Sequence, residues 1–158
     1  MKKHLKELTN FSFGSTSGII TNMSLIIGLG ASNLSKTAII GSLLVIAVAD
    51  NISDSLGVHM YKESESSGTK ESVIATIGNF TARLIVSLSF VLIMLLFPIG
   101  KAEIITLVWG LLLLVGLSYL IARRNKDNPF IETTKHVVVA LIVIAASRYA
   151  GSLIKSHF

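Results

Sequence analysis

The chain of 158 residues has no cysteine, so a disulfide framework, a thiolate metal centre and a thiol nucleophile are all excluded. Charge is sparse as well. Only 15% of residues are Asp, Glu, Lys or Arg, against roughly 25% in an ordinary soluble domain, and the mean hydropathy is +0.71. The two prolines, Pro98 and Pro129, fall at breaks between apolar stretches, and no low-complexity linker sets off a second domain. No nucleophile is paired with a base and no hydrolytic metal motif occurs, so an enzyme is not expected. Gly28 and Gly30 do not form a nucleotide loop, because no strand precedes them and no phosphate-binding lysine lies beyond them at the required spacing.

What the chain has instead is apolar length. Five stretches, at residues 13–31, 37–60, 72–97, 102–122 and 135–154, each come near or exceed the roughly 20 residues that a spanning helix needs. The expected fold is an all-α membrane protein, one transmembrane domain over residues 1–158 built as a bundle of five transmembrane helices. The connecting segments SNLSK, KESESSGTKE, PIGK and RRNKDNP are polar or helix-terminating. The opening MKKHLKELTN is basic like the start of a signal peptide, but the Gly, Ser and Thr rich segment after it lacks a cleavage site, and the opening is read as retained.

The formal net charge of +5 would suggest nucleic acid in a soluble protein, yet here the basic residues flank apolar spans, so no nucleic-acid partner is expected. Lys2, Lys3 and Lys6 precede the first span, Lys62 and Lys70 come after the second, and Arg123, Arg124 and Lys126 after the fourth. The alternate ends hold only Lys36, Lys101 and Lys155. This asymmetry places the N-terminus in the cytoplasm and the C-terminus outside. The expected location is a multi-pass position in a prokaryotic plasma membrane.

Two acids stand inside the second apolar run. Asp50 and Asp54 are one helical turn apart, and a carboxylate at membrane depth costs several kcal/mol (~3) unless it is paired, protonated or facing a polar cavity. Gly57 and Tyr61 continue their face, with Asn51 and Ser53 beside it. Carboxylate and amide oxygens suit hard or borderline divalent cations such as Mn²⁺ and Fe²⁺, and adjacent acids can exchange such an ion for protons. The competing reading is a buried ion pair that fixes helix packing. On the third span Asn79, Arg83 and Ser87 form a matching stripe, and an Asp54–Arg83 pair would leave Asp50 the less compensated acid. Arg148 in the last span either snorkels outward or partners Asp50.

Other candidates are weaker in pattern. His59, Met60, Glu63 and Glu65 cluster where the second helix leaves the membrane and read as a metal entry site or as a solvated helix end. On the first span Ser17, Thr21 and Asn22 supply hydrogen-bonding groups, while Gly14 and Gly18 have the spacing that lets helices approach closely, within the bundle or between two first spans. The fourth span is nearly devoid of polar side chains and reads as a scaffold. His136 reads as part of an interface or helix end, and His4 and His157 as solvated.

The segments FGSTSGIITNMSLIIGL and VADNISDSLGVHMYKESE, with RYAGSLI near the end, resemble those of the vacuolar iron transporter family. That family moves Fe²⁺ and often Mn²⁺ out of the cytosol through five spanning helices. The resemblance covers most of the chain and implies a homodimer with its ion path near the two-fold axis, metal ions and protons as partners besides lipid, and no cofactor beyond the transported ion. Ala49, Asp50, Ser53, Gly57 and Glu65 agree with the second-span pattern, so Asp50 inherits the family's intramembrane acid. Departures are equally specific. The first-span acid falls on Ser17, the methionine of the second span on Asp54, and a tyrosine on His59. KESESSGTKE is also too short for the family's glutamate-rich cytoplasmic subdomain. A carboxylate in place of a thioether favours oxygen-preferring cations such as Mn²⁺. The function implied is a divalent-metal transporter exporting from the cytosol by proton exchange, the alternative a non-transporting membrane interaction protein that keeps the fold without the metal site.

Overall fold

A computed structural model describes residues 2–65 and 68–157, with side chains from Phe13 onward. The described residues form five α-helices: α1 (Lys2–Ala31), α2 (Lys36–Ser64), α3 (Thr69–Leu96), α4 (Ile99–Asn125) and α5 (Pro129–His157). Each coincides with one apolar stretch. Helices α2, α4 and α5 extend beyond theirs at both ends, α1 and α3 at the N-terminal end alone. Helix α2, for example, continues through Lys62 to Ser64, because about 43 Å of helix at 1.5 Å per residue outruns a hydrocarbon layer of about 30 Å and its end need not be apolar.

The breaks are chemically specific. Ser35 caps α2 by accepting a hydrogen bond from the Ala38 amide at 3.2 Å. Pro98 stands at the N-cap of α4, which succeeds α3 almost without a loop. Lys126 takes the left-handed conformation that ends α4 (φ 64°), while the Asp127 amide closes on the Ala122 carbonyl at 2.9 Å. The Asn128 side chain then accepts from the Phe130 amide at 3.0 Å, with Pro129 at the first helical position, where a missing N–H costs nothing.

Side-chain pairs set the direction of each helix. Asp50 meets Arg83, Asn79 meets Asp54 and Ser55, and His59 meets Thr76, so α2 and α3 are antiparallel. Gly14 lies against Asn79, Ser17 against Arg83 and Asn22 against Ser87, so α1 and α3 are parallel. Gly30 abuts Glu103 and Gly110 abuts Met23, so α4 runs against α1. Ser118 reaches His136 at 2.9 Å, which links α4 to the returning α5. Directions therefore alternate along the chain.

Helix α1 packs on all four others and is the axis of the bundle. That position explains its composition: an interior helix needs small residues for close contact and hydrogen-bonding side chains for its neighbours rather than an apolar coat. Helices α2 to α5 are long and apolar enough to cross a membrane, and α1 is not among them. Beside α5, the Gly28 carbonyl lies where a Cβ on Gly151 would project, so the two backbones touch. A long row of exposed Val, Leu and Ile on α2 to α5 forms the outer surface, the pattern of a multi-pass membrane protein.

Candidate functional site

Polar side chains of α1, α2 and α3 converge on Arg83. Its side chain is only 4% exposed, and burial of a guanidinium is tolerated only with nearly every donor engaged. One terminal nitrogen, Nη2, donates to Asp50 Oδ2. The other, Nη1, meets Asp54 Oδ2 at 2.9 Å and donates to Ser17 Oγ at 2.7 Å. Two carboxylates from α2 and a hydroxyl from α1 thus share one guanidinium from α3. Gly18 lets the Arg83 stem lie close against α1, since a Cβ there would stand 3.1 Å from Arg83 Cγ.

This geometry corrects the sequence-based division of labour between the two acids. The Asp54–Arg83 pair exists, but Asp50 is no less compensated, because Arg83 bridges both. Arg148 does not partner Asp50 either. Its charge acts on Glu103, an acid at the start of α4 that sequence reasoning passed over although it stands inside an apolar run. Gly14 and Gly18 are occupied within the bundle by Asn79 and Arg83, so they do not serve to join first spans of two copies.

Polar groups continue above and below Arg83 on α3. One turn away Asn79 Nδ2 donates to Asp54 Oδ2 and to Ser55 Oγ, each at 3.2 Å. One turn the other way, Ser87 accepts from Asn22 Nδ2 at 2.9 Å. Asn51 faces α3 rather than the Asp50 face, donating to the Phe80 carbonyl at 3.0 Å. The side-chain oxygens of Asn22, Asn51 and Asn79 are buried and accept no hydrogen bond. Beyond Asn22 and Ser87 the character changes: Ile26, Ile39, Leu43, Phe90 and Met94 are completely buried and fill the same three-helix junction with hydrocarbon. Polar seam and apolar seal divide the length of α1 to α3.

The carboxylates open on the other side to a groove of about 680 Å³ lined by Phe13, Asp50, Ser53, Asp54, Gly57 and Tyr61, with Val58 and Lys62 at its edge. Asp50 is 46% and Asp54 26% exposed, so both present oxygen to it while holding Arg83. Asp50, Asp54, Gly57 and Tyr61 thus line one groove. Thr21 is not part of it. It lines a separate groove between α1 and α5 with Ser24, Gly28 and Ser147.

At the end of α2, His59 Nε2 lies 3.3 Å from Glu63 and its Nδ1 3.1 Å from Thr76 Oγ1. Glu65 accepts instead from Tyr61 and Lys62, and Met60 is exposed, so the four candidate entry residues do not converge. Among the described residues no three of His, Asp and Glu form a group able to hold a metal ion. His136 bonds Ser118 between helices, and His157 bonds its own helix, while His4 lies outside the described side chains. Comparisons of the chain with protein-family models, with curated proteins and with solved structures give no match.

Proposed function

We propose that this protein is a transporter of divalent cations, Mn²⁺ or Fe²⁺, in a prokaryotic plasma membrane, and that it exports them from the cytosol in exchange for protons. The observation that carries this reading is the pair of carboxylates at mid-length of α2, half open to a groove, with a sealed apolar core beyond them. One-sided access to a charged site is what an exchanger needs in one of its two states. Asp50 and Asp54 supply the oxygen ligands, and Ser53 flanks them in the groove. On this reading all five helices span, with α1 packed against each of the other four. The excess of Lys and Arg at alternate ends puts the N-terminus and the mouth of the groove on the cytoplasmic side and the C-terminus outside.

A charged groove on the flank of a spanning helix cannot face lipid, because a carboxylate in hydrocarbon is costly. A second copy related by a two-fold axis is the cover we propose. Ala49, Ser53 and Gly57, four residues apart, give α2 an exposed row of small residues beside the acids, and a Cβ on Gly57 meets nothing within 4 Å, so another helix can approach closely there. The alternative, a non-transporting interaction protein, draws on the guanidinium already held by both acids.

Uptake of Mn²⁺, Fe²⁺ and Co²⁺ into proteoliposomes across an imposed pH gradient separates the two. Flux that tracks the gradient and is lost in Asp50→Asn supports transport. Absence of flux from wild-type protein that is folded and correctly inserted leaves the interaction protein as the better account.

A further inference from the structure

The donors of Arg83 occupy the same carboxylates that a cargo cation would use. We infer that Arg83 is a tethered counter-cation: it fills the cation-binding face of Asp50 and Asp54 in the cargo-free protein, and cargo binds by replacing it. The inference rests on the transport reading for the identity of the cargo, and on geometry for the competition.

Three features support a guanidinium that moves rather than one fixed for packing. Its two nitrogens are split between separate carboxylates, Nη2 on Asp50 and Nη1 on Asp54, whereas a structural arginine gains most from a bidentate fork on one acid. Both acids are exposed to the groove while Arg83 is not, so a cation arriving from the groove meets carboxylate oxygens first. The displaced group also has somewhere to go. Ser17 Oγ can stay bonded to it, and the buried side-chain oxygen of Asn79, which accepts no hydrogen bond, stands one turn from Arg83 on α3, on a side chain already bonded to Asp54. A buried acceptor without a donor is costly, and a second state in which Arg83 turns towards it would supply one.

The electrostatic consequence is definite. With Arg83 in place, two carboxylates and one guanidinium leave a single uncompensated negative charge. With its charge removed the cluster holds two, and the attraction for a dication doubles to first order. Arg83 therefore weakens cargo binding and, by returning to the acids, drives release.

The test is direct Mn²⁺ binding to purified, reconstituted protein, monitored by the resonance of free Mn²⁺, beside Mn²⁺ flux in liposomes. Arg83→Gln should bind Mn²⁺ on the order of tenfold more tightly and turn over on the order of tenfold more slowly, a split between affinity and rate that simple loss of packing does not produce. Arg83→Lys keeps the charge but reaches one carboxylate at a time, so its affinity should fall between the two and part of the turnover should return. Should Arg83→Gln not accumulate, Arg83→Lys carries the test by itself, with affinity tightened by about threefold (roughly half, in log units, of the tenfold above). Unchanged or weaker Mn²⁺ affinity in a folded variant overturns the proposal, as does the absence of Mn²⁺ binding in wild type and Arg83→Gln alike. Tighter binding without flux in any protein defeats transport and leaves the tether standing. Normal wild-type flux with no gain in affinity does the reverse.

Discussion

Replacing Gly14 by Ala probes the seam between α1 and α3 more sharply than any charge change. An alanine Cβ there would stand 2.6 Å from both the Asn79 carbonyl oxygen and its Oδ1, about 0.8 Å inside the 3.4 Å of ordinary contact. The side-chain oxygen can turn away. The carbonyl belongs to the backbone of α3 and cannot, so the two helices must part by several tenths of an ångström over this turn. The overpacking cost in such cases is about 1–3 kcal/mol. Three residues along α1 the same displacement stretches the 2.7 Å bond from Arg83 to Ser17, adding about 1 kcal/mol for a hydrogen bond to a charged group that is weakened but not lost. Together the two effects cost roughly 2–4 kcal/mol, and the gain of up to about 1 kcal/mol from glycine to alanine in a helix leaves a net destabilisation of about 1–3 kcal/mol. Gly57→Ala is the matched control. Its Cβ meets nothing within 4 Å, and glycine to alanine inside a helix stabilises by up to about 1 kcal/mol. Reversible unfolding of both variants in mixed micelles, monitored by circular dichroism, measures the difference. Equal stability of Gly14→Ala and Gly57→Ala would refute the close α1–α3 contact and with it the placement of Ser17 at the guanidinium.

The remaining predictions concern charge, topology and assembly. Asp50→Asn and Asp54→Asn each leave Arg83 one carboxylate, whereas the double variant strands it, so the double should lose about 3 kcal/mol or more in the same unfolding assay and exceed the sum of the singles; additive losses would mean that the two acids do not share the guanidinium. Reporter tags at the N-terminus and after Phe158 should lie on opposite sides of the membrane, and finding them on one side rules out five spans. Ala49→Trp, on the exposed small-residue line of α2, should reduce dimer recovered by cross-linking in membranes while leaving the monomer folded, and undiminished cross-linking moves the interface elsewhere.

Much of the site was legible because a single helix carries its own periodicity. Asp50, Asp54, Gly57 and Tyr61 share a face by spacing alone, as do Asn79, Arg83 and Ser87, and both faces are where the helical repeat puts them. What spacing does not encode is the rotation of one helix against another. Whether Arg83 takes one acid or both depends on a rotation of α2 by a fraction of a turn, and both acids lie within reach of a long side chain. Helix α1 was the hardest to read for a related reason. It packs on four neighbours, so its hydrophobic pattern does not tell that Ser17 meets Arg83 while Thr21, one turn on, lines the α1–α5 groove. Glu103 was missed because it stands close to a helix start, where an acid reads as a solvated end.

Access, rather than charge alone, separates the groups around Arg83. Ser17 and Asp54 touch the same nitrogen of the guanidinium, at 2.7 Å and 2.9 Å, but of the two only Asp54 borders the groove, where Asp50 joins it. The guanidinium itself is buried. A cation entering from the side would therefore meet both carboxylates before it met Arg83, and on the transport reading this makes the ion pair a site that cargo and Arg83 can contest.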